Sequence, residues 1–252
     1  MNSKYYCVNQ EGHSISCKLY YNNVRDIQHV VVFGHGFGGH KDNKAAERFA
    51  EVLLSKKKRA AVLTFNWPCH GDDVKKKLRL EDCMTYIRLI AADVTDQYRP
   101  ETVNIYATSF GGYLFLKYIA ENGNPFRKIA LRCPAINMYE SMTAKIMRAE
   151  EQESIRKGKD VPVGFDRKIH VNKLFLDELQ EADIRKYEYL DYADDILILH
   201  GTRDNIISFD VVKEFAEDNV IEFVAVENAD HRFLDPALMG NAIKIIIEFL
   251  LS

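Results

Sequence analysis

Short continuous apolar runs, each bounded by polar or glycine-rich residues, recur along the chain at 29–34, 60–65, 102–107, 128–133 and 195–201. Runs of this length without alternation predict strands buried on both faces of a parallel sheet. Between them lie stretches with helical period. Residues 43–55 place Ala46, Phe49, Ala50, Leu53 and Leu54 on one side, and 80–98 carry Met84, Ile87, Ile90, Ala91 and Val94 and end at Pro100. A further helix follows Ser109 through 113–120 and stops at Asn122-Gly123. Residues 4–21 alternate instead and break at Glu11-Gly12, which predicts an antiparallel hairpin at a sheet edge. A helix over 210–217, a strand over 221–226 and a helix over 238–251 complete the pattern. Strand and helix in alternation predict an α/β fold: a mostly parallel, twisted sheet with right-handed crossovers and helices on both faces.

The rhythm changes over 137–192. Residues 141–156 are charged and methionine-bearing, 157–162 look like a loop, 165–171 could form a short strand pair, and 174–185 have helical character. This stretch is too long for a simple connection and too poor in apolar runs to extend the sheet. It is expected to be an insertion lying over the carboxyl edge as a lid or cap, where open α/β sheets bind ligands, with 1–136 and 193–252 forming the core. Packing elsewhere as decoration is the alternative.

Composition narrows the picture little. The chain has 252 residues, 47% hydrophobic and 28% charged, enough for one domain with an insertion. A net charge of -3 offers no electrostatic reason to expect nucleic acid, and the clusters 56–59 and 75–77 are expected to be solvated surface. Neither a signal-like apolar segment nor a run of membrane-spanning length is seen, so no membrane partner and a cytoplasmic location are the defaults. The five cysteines are scattered, with no C-x-x-C pair, and are expected to be reduced thiols rather than a disulfide framework or zinc site.

The candidate chemistry centres on Ser109. A strand runs directly into a helix at Ala107-Thr108-Ser109-Phe110-Gly111, a turn tight enough to need small neighbours. A serine hydroxyl needs a base, and the base needs an orienting group. His231, in the loop after the last strand, and Asp204, in the loop after the preceding one, would reach the same sheet edge. The loop His35-Gly36-Phe37-Gly38-Gly39 could in principle cradle a phosphate, but it matches neither glycine-rich nucleotide motif. It is better placed to bring the Phe37 N–H to an oxyanion, with the Phe110 N–H as the second donor. Cys69 beside His70 suggests a thiol–imidazole pair, yet Pro68 and Gly71 bracket it and favour a structural turn.

Four motifs together resemble the α/β-hydrolase superfamily: His-Gly-Phe-Gly-Gly-His-Lys at 35–41, Ala-Thr-Ser-Phe-Gly-Gly at 107–112, His-Gly-Thr-Arg-Asp at 200–204 and Asp-His-Arg-Phe at 230–233. The first loop and the mid-chain insertion are similar to those of bacterial cinnamoyl (feruloyl) esterases. Two positions depart from the superfamily pattern: Ala107 replaces the first glycine of the elbow, and Cys69 replaces the glycine of a Pro-Gly-His-Gly turn. The resemblance implies a serine carboxylesterase acting on small-molecule esters through Ser109, His231 and Asp204, with Phe37 and Phe110 as oxyanion donors and with neither cofactor nor metal. Tyr139, Met142, Met147, Phe165 and Phe175 could line an aromatic acyl pocket or form the insertion's own core. Thioesterase, acyltransferase and peptidase chemistry stay open, as does a non-catalytic binding module of the same fold. A homodimer is likewise left open.

Overall fold

The computed structural model describes residues 1–252. β1 (Asn2–Gln10) and β2 (His13–Tyr21) form the antiparallel hairpin expected at the sheet edge. β3 (His29–Gly34), α1 (Lys44–Lys56), β4 (Ala60–Phe65), α2 (Leu80–Tyr98), β5 (Thr102–Thr108), α3 (Phe110–Asn122) and β6 (Ile129–Arg132) follow in alternation. After β6 come α4 (Met138–Ser141), which continues as a π-turn to Ile146, then α5 (Ala149–Arg156), β7 (Val161–Val163), β8 (Ile169–Val171) and α6 (Lys173–Glu181). β9 (Ile196–Gly201), α7 (Phe209–Asp218), β10 (Glu222–Val226) and α8 (Pro236–Leu251) complete the chain.

Eight strands make one sheet in the order β1-β2-β4-β3-β5-β6-β9-β10, antiparallel through β2–β4 and parallel from there on. β3, β4, β6 and β9 are buried almost throughout because helices cover both faces. α1 and α8 pack on one face with Phe49, Leu53, Ile243 and Ile246 inward, while α2, α3 and α7 bring Ile87, Leu114, Phe115 and Val212 to the other. Each such side chain contributes about 1.5–3 kcal/mol by leaving water. Helix starts follow their caps: Asn43 Oδ1 accepts from Ala45 and Ala46 N–H, and Asp235 Oδ1 does the same for Ala237 and Leu238 behind Pro236.

The stretch between β6 and β9 adds no strand to the main sheet. Its strand pair is displaced in its first strand: β7 begins in the segment read as loop, β8 lies within the expected 165–171, and residues 164–168 are the turn. Three-residue strands are too short to declare a period, and Pro162 argues against one. Tyr113 Oη donates to Ala182 O at 2.9 Å and Leu80 N–H to Glu178 Oε2 at 2.9 Å, tying this stretch to α3 and α2. The hairpin turn lies against the glycine loop, where a Cβ on Gly38 would come within 3.1 Å of Arg167 O.

Candidate active site

β5 is central, and the loops after β5, β6, β9 and β10 open at one edge of the sheet. Ser109 sits where β5 becomes α3, with φ 51° and ψ -118°, a left-handed conformation that a non-glycine residue holds only when its surroundings enforce it. They do so from β6, the residues after it and α3: Ser109 N–H donates to Arg132 O, and Ser109 O accepts from Ala135 and Tyr113 N–H, all at 3.1 Å. Gly111 is obligatory, because a Cβ there would lie 2.5 Å from Gly34 O. Ala107 is tolerated because its register partner on β3 is Gly34, where a Cβ would approach the Ala107 methyl to 3.3 Å and the Phe115 ring to 2.7 Å. The methyl added at one position of the elbow is absorbed by the side chain missing opposite.

Ser109 Oγ lies 3.0 Å from His231 Nε2, and His231 Nδ1 lies 2.7 Å from Asp204 Oδ2. The three residues come from three separate loops and form one hydrogen-bonded chain. The Asp204 side chain is fully buried. Its Oδ1 accepts Ile206 and Ile207 N–H, each at 2.9 Å, and its Oδ2 also accepts His200 Nε2 at 3.2 Å. Burial alone would push its pKa up, but hydrogen bonds from His200 and His231 outweigh it and hold the carboxyl far below the usual carboxylate range. An ionised Asp204 requires the proton on His231 Nδ1. Nε2 is then a lone pair facing the serine hydroxyl.

The glycine loop closes the other side. A Cβ on Gly36 would be 3.7 Å from Ser109 Oγ, so the Phe37 peptide begins beside the hydroxyl. Neither Phe37 N–H nor Phe110 N–H donates to another backbone group. The Phe37 ring is held edge-on by Phe110 at 5.8 Å and by His70 at 5.5 Å. His70 Nδ1 donates to Pro68 O at 2.8 Å, and burial lowers its pKa to about 4, so the ring stands neutral behind the loop. Cys69 is left-handed at φ 66°, and burial pushes its thiol up to about 12, far from a thiolate. The pair is a turn supporting Phe37.

The aromatic and methionine candidates of the insertion separate. Phe175 is buried against Phe110 with ring centroids 6.3 Å apart, and Met142 and Met147 are core. Phe165 is instead exposed on the hairpin turn. Tyr139 lines a cleft of about 210 Å³ with Tyr113, Ile136, Met138, Leu179 and Arg185, which starts one turn of α3 from Ser109. Donor atoms of Cys133, His200 and Asp204 lie within 4.8 Å of one another, a spacing that could admit a metal. Both oxygens of Asp204 are already engaged by four N–H donors, which accounts for the cluster without one.

Two residues of the site were not singled out by sequence. His200 ends β9 and shares Asp204 with His231. Arg132 ends β6 and donates from Nη1 to His231 O at 3.3 Å. The available signal was a charge closing an otherwise apolar strand and a histidine four residues before the aspartate.

The family described as the alpha/beta hydrolase fold matches residues 29–153. No curated protein matches the chain in sequence. Among solved structures it is similar to Est1E from Butyrivibrio proteoclasticus (16% identity, 98% of this chain and 99% of that one, TM-score 0.73). It is also similar to an esterase from Pyrococcus furiosus (16%, 99% and 92%, 0.72) and to a monoacylglycerol lipase from Paleococcus ferrophilus (18%, 94% and 98%, 0.69).

Proposed function

From a chain that has the α/β-hydrolase fold, we propose a serine carboxylesterase that hydrolyses small acyl esters, hydroxycinnamate esters among them, through an acyl-enzyme. The observation that carries this is the hydrogen-bonded chain from Asp204 through His231 to Ser109. Ser109 Oγ attacks the ester carbonyl as its proton passes to His231 Nε2, and Asp204 stabilises the resulting imidazolium. The free N–H groups of Phe37 and Phe110 receive the oxyanion. His231 then protonates the leaving alcohol, and water activated by the same imidazole releases the acid.

The acyl class is inferred from surroundings. Phe37, Phe110 and Phe175 form an aromatic wall beside the serine, and Est1E has been seen with ferulic acid bound. The stretch 137–192 acts as the lid over this wall, held by Tyr113 and Glu178. No helix is long and apolar enough to cross a membrane. Five unpaired cysteines support a reducing, cytoplasmic setting.

The test is a panel of hydroxycinnamate, short-acyl and thioester substrates with the parent and Ser109→Ala. The expected result is hydrolysis of oxygen esters by the parent and a loss on the order of a millionfold in the variant, as when a triad acts as a unit. Preference for thioesters would replace the substrate class. Undiminished turnover by Ser109→Ala would remove the mechanism.

A further inference from the structure

Arg132 is a buried guanidinium without a carboxylate partner. Its side chain, on a residue only 6% exposed, donates from Nε to Tyr106 Oη at 3.2 Å and from Nη1 to His231 O at 3.3 Å, and it lies 5.0 Å over the Phe233 ring. All three partners are neutral. Taking a charge out of water without an ion pair is costly, and an apolar side chain would fill this position at less expense. The Asp204 carboxylate eases the charge without forming an ion pair with it, and what the guanidinium does directly is hydrogen-bond to Tyr106 and to the His231 carbonyl.

What the guanidinium grips is the loop that carries the base. Residues 227–235 join β10 to α8 with no regular structure. Within the loop Asp230 Oδ1 accepts from Arg232 and Leu234 N–H at 2.8 and 3.3 Å and Asp230 O accepts from Phe233 N–H at 3.2 Å, while Arg203 N–H, from the loop after β9, donates to Ala229 O at 3.0 Å. The exposed Arg232–Asp166 pair, at 3.2 Å, is a weak clamp on its outer side. The carbonyl of His231 has Arg132 as its hydrogen-bond donor and no backbone donor. His231 is thus held at its ring by Asp204 and at its backbone carbonyl by Arg132. The same residue also holds the nucleophile, since Arg132 O accepts the Ser109 N–H at 3.1 Å.

Resting on the assignment of Ser109 and His231 as nucleophile and base, we propose that Arg132 is a positioning residue: it ties the His231 backbone to the strand that anchors Ser109 and thereby sets the Oγ–Nε2 approach. The planar fork suits the task, because one group must reach Tyr106 and His231 in different directions while stacking on Phe233. A lysine can satisfy one of these contacts at a time.

The test uses full-length protein with ¹⁵N-labelled histidine, and compares the parent, Arg132→Met, Arg132→Lys and Tyr106→Phe. Two readouts are taken: ester kinetics, and the low-field N–H resonances of His231 Nδ1 and His200 Nε2, both of which donate to Asp204. In Arg132→Met the His231 resonance is expected to broaden away while that of His200 persists, and kcat is expected to fall about a hundredfold, the scale of a misplaced catalytic group. KM should stay within about twofold, because no substrate contact is removed. Arg132→Lys should restore part of both signals. Tyr106→Phe keeps the ring that packs on Phe33 and Phe49 but frees Nε, and should move both readouts the same way by less.

The proposal is overturned if folded Arg132→Met keeps the His231 resonance and its kcat, or if both histidine resonances vanish together, which would signal collapse of the site. If Arg132→Met does not fold, an unchanged Tyr106→Phe overturns it equally. A parent that hydrolyses no ester, yet loses only the His231 resonance on mutation, would remove the esterase assignment and leave the positioning role standing.

Discussion

Asp204 offers two substitutions whose effects should part company. Its Oδ1 carries two backbone N–H groups, Ile206 and Ile207, and its Oδ2 carries His200 and His231. In Asp204→Ala both backbone donors lose their acceptor, whereas His200 Nε2 keeps Ile207 O at 3.2 Å. At about 1–3 kcal/mol for each stranded buried donor, the loss should be about 3 kcal/mol. For a chain of this length that is a fall in Tm of about 6–12 °C. Asp204→Asn retains a carbonyl for the two N–H groups, so its stability should fall by only about 1 kcal/mol. Its amide N–H₂, however, would face His231 Nδ1, forcing the imidazole to accept there and to carry its proton on Nε2. The base would then present a donor to Ser109, and turnover should drop by about ten-thousandfold, the scale known for this tautomer error. Urea unfolding and ester kinetics on the two purified variants give the comparison. An Asn variant with a tenth or more of the parent's turnover, or an Ala variant as stable as the parent, would refute the reasoning.

Other outcomes follow from the same geometry. Gly111→Ala drives a methyl into Gly34 O and should cost about 1–3 kcal/mol while slowing reaction of Ser109, measured by urea melts and probe labelling; an unperturbed variant would mean that the elbow is looser than described. Buried His70 resists protonation, with its pKa lowered to about 4 against about 6.5 in the unfolded chain, so its contribution is complete above pH 6.5 and is lost as pH falls toward 4. At pH 5 the loss from His70 alone should be about 2 kcal/mol, and His70→Asn, which can still donate to Pro68 O, should flatten this slope in urea melts between pH 7 and 5. Asp204, held low instead, should make stability fall further only below about pH 4, the range in which the unfolded carboxyl takes up its proton. A profile that stays flat to pH 3 would contradict both assignments.

Much of this was legible beforehand because local and long-range signals agreed. β3 and β4 read as buried strands since their runs are apolar on both faces, and Ser109 read as an elbow since a strand, one polar residue and a helix leave no room for a loop. The order of Ser109, Asp204 and His231 placed each after its own strand, so the topology brought them to one edge. Less legible was anything set by what lies opposite in space. Ala107 reads in the sequence only as a departure from the first glycine of the elbow, and that Gly34 is its partner across the sheet is set by the fold. Arg132 and His200 are polar residues closing apolar strands, and periodicity says nothing about whether such a side chain turns inward. Phe165 and Phe175 are alike in the sequence pattern, yet one caps a hairpin turn and the other packs on Phe110, a division decided by tertiary contact.

The account stands on an activated serine at position 109, and covalent labelling addresses that directly. Parent, Ser109→Ala and His231→Ala proteins would be incubated with a fluorophosphonate and their intact masses recorded over time. A single adduct on the parent, none on Ser109→Ala and a greatly slowed one on His231→Ala is the predicted result. An adduct that survives in Ser109→Ala, or a folded parent that takes up none, would contradict it.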